Sequence, residues 1–346
     1  MLKVSVIIPT YNRLNQLKQV LAAFEAQSCN LSDIEIIIVS DGSSDGTESY
    51  LNDLKSPLNL VVAQQQNAGP AAARNNGIGL ARGELVIFVD DDVVPAPDFI
   101  IEHLKSHEKY GQQAVVLGPM ITPNDFEMVS WVYWEQMMLY KQYEDMEMAR
   151  WEPTARQFYT GNASLRRKHL IESGGFDVSF RRAEDVELAY RLADKDIRFY
   201  FNPQAIGYHY AERKFESWLQ TPYMYGRNDV IFTRDKGQKW LLPKVMEEFH
   251  QRHLVVRALT RLCLSQQIAS KVAIFALKQI ARFGDRLAPF IPIFRSLPRF
   301  AYSGIYNLTY YQGAADELGG REDFFRLVSD AEMPIYQPHA LKSGAN

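Results

Sequence analysis

Four short apolar runs punctuate the first ninety residues: KVSVIIP (3–9), IEIIIVS (34–40), LVV (60–62) and ELVIFVD (84–90). They are rich in Val and Ile and nearly continuous in hydrophobicity, which predicts parallel strands covered on both faces. Between them Leu14, Leu17, Leu21 and Phe24 recur at helical spacing, and residues 69–81 form an Ala-rich helical stretch. The alternation predicts a βαβα arrangement, an α/β fold with a mostly parallel central sheet. From 110 to 210 the pattern is mixed. It holds a strand AVVLGP (114–119), an aromatic helical stretch from Trp131 to Tyr143, a strand candidate FYTGNASLRR (158–167), a helix from Asp185 to Ala193, and IRFYFNPQAIGYHY (197–210). The expected division is one domain over 1–230 and a helical C-terminal extension over 231–346.

The extension changes character from Arg252 to Arg299. Arg252, Arg257, Arg261, Lys271, Lys278, Arg282, Arg286, Arg295 and Arg299 are set against one acid, Asp285, amid apolar residues at helical spacing. A basic amphipathic helix of this kind either lies on an anionic membrane surface or packs on the main domain with its arginines solvated. The final HALKSGAN reads as a frayed terminus.

Over 346 residues, 47% are hydrophobic, which describes an ordered globular chain, and a net charge of −3 gives no global field for nucleic acid. Cys29 and Cys263 are too few for a disulfide framework or a Cys-based zinc site, which fits a reducing compartment. The N-terminus lacks a signal-peptide apolar region, and no run of about 18 uncharged apolar residues occurs. The expected location is the cytoplasm or the cytoplasmic face of a membrane.

Ligands bind beyond the carboxyl ends of the strands in open sheets of this type. Each end here is polar: PTYNR (9–13), SDGSSDGT (40–47), QQNAGPAAARN (65–75) and DDD (90–92). Two like charges ~4 Å apart at an effective dielectric of ~20 repel by about 4 kcal/mol. The triplet therefore needs a cation or a solvated turn. A polar turn closing the strand would explain it as well as a ligand site would. DGSSDG mimics the start of a calcium loop, but Asn52 stands where the bidentate Glu belongs and a strand precedes it, so it reads as a turn capping the next helix. PTYNR has no glycine for a dinucleotide fold, and no Walker sequence, G-x-S-x-G elbow or H-E-x-x-H is present. Glu184 and Asp185 open a helix, where the dipole favours carboxylates, and His209 follows a strand.

In order and spacing, VSVIIPTYNR, IIIVSDGSSDGT, NAGPAAARNNGI, VIFVDDDVVP, TGNASLRR, GGFD and AEDVELAYRL resemble the family 2 glycosyltransferases over about residues 3–210. The resemblance implies a GT-A fold and inverting transfer of a sugar from a UDP-, GDP- or dTDP-sugar to a glycan or lipid-linked acceptor, with Mn2+ or Mg2+ as cofactor. The basic extension lies outside the resemblance; its composition gives peripheral membrane contact as one of its two readings, and the net charge gives no nucleic-acid partner. By the family pattern Asp185 is the base, with Glu184 beside it. Pro9, Tyr11, Asp41, Arg74, Asp90 and Asp91 lie on the nucleotide-sugar side, with Asp91 pointing away if the strand stays extended. Asp92 ligates the metal, with His209 as a looser match. Gly161, Asn162 and Gly175 shape the sugar and acceptor pocket. Asn12 and Arg13 fall near the same rim. The family often has Gly before its ED; this chain has Ala183, preceded by Arg181 and Arg182. Two other readings are a catalytically inactive nucleotide-sugar or glycan-binding protein of the same fold, and a sugar-phosphate nucleotidyltransferase, which would need a Gly-rich basic loop after the first strand.

Overall fold

The computed structural model describes residues 3–330, and the HALKSGAN terminus lies outside them. The chain divides into two compact units at Arg213/Lys214. The boundary expected at 230 instead falls inside the helix Phe215–Asp235, because the composition shift that suggested it starts later than the helical fold does.

The first unit opens with β1 (Val4–Thr10), α1 (Leu14–Glu25), β2 (Ile34–Ser40), α2 (Thr47–Asp53), β3 (Leu60–Gln64), α3 (Pro70–Leu80) and β4 (Leu85–Val89). There follow β5 (Val93–Pro95), α4 (Phe99–Tyr110), β6 (Ala114–Leu117), β7 (Met120–Ile121), α5 (Ser130–Glu147), β8 (Asn162–Arg166), α6 (Arg167–Glu172), α7 (Glu184–Ala193), β9 (Arg198–Phe201) and β10 (Gly207–His209). Seven strands form the main sheet in the order β3-β2-β1-β4-β8-β6-β9. The four expected strands are parallel to one another, and Val4, Val6, Ile7, Ile8, Ile36, Ile37 and Ile38 are fully or almost fully buried. This is the burial that continuous apolar runs require.

β8 departs from the parallel pattern, pairing antiparallel with both β4 and β6. Residues 197–210 split between two sheets, β9 closing the main one and β10 joining β5 and β7 in a separate three-stranded sheet. Register does the positioning. Thr10 pairs with Ser40 and Ser40 with Gln64, so the chain leaves β1, β2 and β3 along one edge. Val89 pairs with Asn162, which sets Gly161 beside Asp90, and His209 pairs with Val93, which sets it beside Asp92.

The second unit is helical: α8 (Phe215–Asp235), α9 (Leu241–Gln251), α10 (Leu254–Cys263), α11 (Gln267–Leu287), α12 (Ser296–Leu318) and α13 (Arg321–Asp330). Its core is aromatic, with Trp218 edge-on to Tyr302 at 5.9 Å and Phe249 against Tyr311 at 5.0 Å. α8 and α12 cross closely at two glycines. An added Cβ at Gly226 would stand 1.9 Å from the Tyr310 carbonyl oxygen, and one at Gly313 would stand 1.9 Å from that of Tyr223. The basic stretch 252–299 is several helices and a short 3-10 turn rather than one helix. Among the described residues no helix is long and apolar enough to cross a membrane.

Candidate functional site

The loops after β1 and β2 are tied together before any ligand is considered. Asp45 accepts from the backbone N–H of Leu14, the first residue of α1, at 2.9 Å and from that of Thr47, the first of α2, at 3.1 Å. Asn12, at φ 55°, donates through its backbone to Ser43 Oγ and accepts from the Ser44 N–H. The DGSSDG segment is thus the helix-capping turn its composition suggests. Tyr11 stands half-exposed next to it, while Pro9 lies within β1 opposite Val39.

Asp90, Asp91 and Asp92 sit on a turn, so the extended geometry that would send Asp91 the other way is lost. Two arginines supply the countercharge that the triplet demands. Arg13 donates to Asp92 and stands 3.6 Å from Asp91, and Arg74 donates to Asp90 at 2.7 Å. Burial pushes the Asp91 carboxyl up to about 7, Arg13 opposing it and Asp92 adding to it. Burial would raise Asp92 as well, but His209 and Arg13 outweigh it and hold that carboxyl well below the usual range. Near neutrality the turn therefore keeps Asp92 ionised while Asp91 is partly protonated. His209 Nε2 lies 3.7 Å from Asp92 Oδ1, and its Nδ1 is buried with no hydrogen-bond partner.

Arg74 corrects one expectation. It is 5% exposed and its two terminal nitrogens go to two different carboxylates, Asp90 and Glu184, the latter at 2.8 Å. In this structure it bridges the turn after β4 and the start of α7, with its guanidinium over the Phe176 ring, rather than standing free for a nucleotide. Glu184 is buried at the far end of that bridge. Asp185 is half-buried beside it. Burial, and then the like charge of Glu184, push the Asp185 carboxyl up to about 7, with Arg74 pulling the other way.

Ala183 precedes them at φ 59°, in the left-handed region that favours glycine. The side chain costs about 1 kcal/mol there. The neighbouring GGFD turn is held from both sides. Asn75 accepts from the Phe176 N–H and donates to its carbonyl, and Arg191 donates to the Gly175 carbonyl at 2.7 Å.

Three more expected pocket residues have other partners. Asn162 is 2% exposed and its amide is fully used, donating to the Pro119 and Ala205 carbonyls and meeting His103 Nε2 at 3.0 Å. It joins strands behind the site. Gly175, at φ 73°, would drive a Cβ to 2.4 Å from Asn75 Oδ1, so it serves the turn. Asp41 accepts from Gln65, from the Ala68 N–H and from the Gly69 N–H, which makes it the pin of the loop before α3. Its Oδ2 keeps one acceptor position. Gly161 does border the site: a Cβ there would lie 3.0 Å from Asp90 Oδ2 and 2.5 Å from Met120 Sδ.

With this geometry in place, the chain can be set beside known proteins. Residues 5–174 match the model of glycosyl transferase family 2. This segment belongs to glycosyl transferase family 2. Validoxylamine A glucosyltransferase of Streptomyces hygroscopicus is 30% identical over 213 residues, 54% of this chain and 50% of that one. The chain spans from about half to under two thirds of the length of the first curated relatives it matches: 64%, 50% and 47%. Staphylococcus aureus TarS 1–349 in complex with UDP-GlcNAc superposes with a TM-score of 0.55 at 20% identity, covering 90% of each chain. A mannosyltransferase of Pyrobaculum calidifontis in complex with GDP-Man and Mn2+ gives 0.56 at 20%, covering 90% and 86%. These likenesses show the GT-A fold.

Within the family 2 fold, the carboxylate turn suits a hard divalent cation. Among the described residues no cluster of three or more His, Cys, Asp or Glu is arranged to hold a metal. Such ions are nonetheless commonly held by one or two carboxylates, with substrate phosphates completing the shell. Ionised Asp92, with the unpartnered Nδ1 of His209 next to it, offers that partial donor set. From the sequence, Arg13 is expected only near the rim and Arg181 only ahead of the ED pair. Arg13 meets Asp92, and Arg181 Nη1 reaches the Ala68 carbonyl at 3.4 Å. The adjacent carboxylates of DDD were the available signal for Arg13, a cation being one of the two ways to relieve them.

Proposed function

We propose that the chain is an inverting, metal-dependent glycosyltransferase moving a sugar from a nucleoside diphosphate sugar to an acceptor hydroxyl in cell-surface polysaccharide or glycan assembly. The observation that carries this reading is the Asp90–Arg74–Glu184 bridge. It fixes the turn bearing Asp92 and the helix start bearing Asp185 against one buried guanidinium. A carboxylate set for charge and a carboxyl set for proton transfer thereby share one site.

Asp92 and His209 are the residues that would hold Mn2+ or Mg2+, which when bound acts as a Lewis acid on the departing diphosphate. Asp185 takes the proton of the acceptor hydroxyl. The acceptor oxygen then attacks the anomeric carbon from the face opposite the diphosphate, whose bond to that carbon breaks with the electron pair leaving on the nucleoside diphosphate. One displacement inverts the centre. In this reading Tyr11 and the remaining acceptor position of Asp41 meet the nucleobase. The acceptor is a glycan or lipid-linked hydroxyl met in the cytoplasm or at the cytoplasmic face of a membrane. The nucleotide sugars in the two solved neighbours support the donor class.

The test is a panel of UDP-, GDP- and dTDP-sugars with the full chain and Mn2+. One donor class is expected to raise the melting temperature, because a ligand at about 100 times its Kd stabilises by about 2.7 kcal/mol. The same donor is expected to label a glycan or lipid-linked acceptor by mass spectrometry, and EDTA to remove both effects. A panel in which nothing stabilises and nothing transfers overturns the reading, and full transfer in EDTA overturns its metal dependence.

A further inference from the structure

Helix α11 is amphipathic in an unusual sense: it shows apolar residues to solvent. Leu277, Ala281 and Gly284 are buried in the second unit. The opposite stripe carries Ile268, Val272, Phe275 and Phe283, at helical spacing, with Ile268 80% and Phe275 65% exposed. The chain then leaves the helix through AlaProPheIleProIle, where Phe290 is 81% and Ile293 77% exposed. Leu254 and Leu262 of α10 are exposed as well. Large apolar side chains exposed in this number within one helical unit point to an interaction site.

Charge selects among the partners. Exposed Lys271, Arg282 and Arg286 accompany the stripe and Arg295 follows the apolar loop, while Asp285 is the one acid between Arg252 and Arg299. A second copy docked through the same face would set this basic surface against itself. An anionic bilayer offers phosphates to the arginines and an acyl boundary to the phenylalanines and isoleucines. Aromatic and aliphatic residues on one face with Lys and Arg beside them are what interfacial helices use.

We propose that α11 and the loop after it, Phe290 to Ile293, form a peripheral membrane-binding surface selective for anionic phospholipid. The surface takes from the proposed function only the notion of a membrane-side acceptor. Vesicle binding is read without donor or transfer, so its failure and the failure of the glycosyltransferase reading are separate results.

The experiment is sedimentation of the full chain with phosphatidylcholine vesicles with and without about 30% phosphatidylglycerol, at low and high salt. Binding is expected only with phosphatidylglycerol and is expected to weaken as salt shortens the screening length below about 10 Å. F290S/I293S removes two exposed apolar side chains and is expected to lower vesicle affinity about tenfold or more with an unchanged melting temperature. R286E/R295E is expected to lose at least about fivefold per charge near the surface. A wild-type chain that stays in the supernatant at low salt with anionic vesicles overturns the proposal. Binding that persists undiminished in F290S/I293S overturns the role of the loop. A dimer that F290S/I293S dissociates, with no vesicle binding by either form, assigns the face to a second copy instead.

Discussion

Asp185→Asn is expected to lower glycosyl transfer by about 10²–10⁴ while nucleotide-sugar binding, read by calorimetry or thermal shift, stays within about twofold. Asn keeps the shape and the hydrogen bond the side chain accepts from the Val186 N–H, but it cannot take a proton. The environment of Asp185 adds a second expectation. Burial and Glu184 raise its carboxyl to about 7. A base must be deprotonated, so kcat/KM should rise with pH through about 7 and level off above it, and that limb should vanish from the residual rate of the variant. Stability runs the other way. A carboxyl whose folded pKa lies above its unfolded value favours folding while protonated, and that contribution is lost as pH rises through the folded value. The neutral Asn should therefore melt no lower than wild type at pH 8. Wild-type turnover in the variant, or a flat wild-type pH profile between 5 and 8, would remove Asp185 from the base role.

Arg74→Met is expected to destabilise the first unit by about 3 kcal/mol, because removing one partner of a buried pair leaves the other charge uncompensated. In a unit of this size that is a fall of about 6–12 °C in melting temperature. Glu184 carries most of the cost, since it is buried, whereas the Asp90 side chain is 38% exposed and partly screened by water. E184Q placed on top of R74M should recover most of the loss, because the orphaned charge is then gone. Arg74→Lys should not rescue fully, since one ammonium cannot reproduce a planar fork reaching two carboxylates. If R74M instead melts like wild type and loses only nucleotide affinity, Arg74 is the ligand contact that its motif suggested.

These two residues also separate what is local along the chain from what is not. The carboxylate of Asp185 was legible because AEDVELAYRL is local, a helix start whose charge pattern survives in one dimension. Arg74 was visible as a cation in an Ala-rich helix, but not as a bridge, since its two partners are separated from it and from one another along the chain. The partners that Asn162 and Asp41 take up were out of view for the same reason. Residue type states what a side chain can bond, and the fold decides what reaches it first. In both cases backbone N–H or C=O groups of distant loops arrived, and buried polar groups are not left unpaired when such partners are near. The two glycines divide likewise, Gly161 bordering Asp90 while Gly175 packs against Asn75 in its own turn.

The sequence by itself determined the parallel half of the sheet, since strands buried on both faces read as continuously apolar runs set between helical stretches. It determined as well that polar loops meet on one rim, and that three adjacent aspartates need a cation or a solvated turn. Tertiary structure alone decided which cation answers them. It inserted β8 antiparallel beside β4, which put Gly161 against Asp90, and paired β10 with β5, which put His209 against Asp92. It also left Ala183 in a left-handed conformation. Hydrophobic periodicity is fixed by each element's own burial, whereas the partner of a buried charge is fixed by strand register between segments far apart in sequence, and that register is set only when the chain packs.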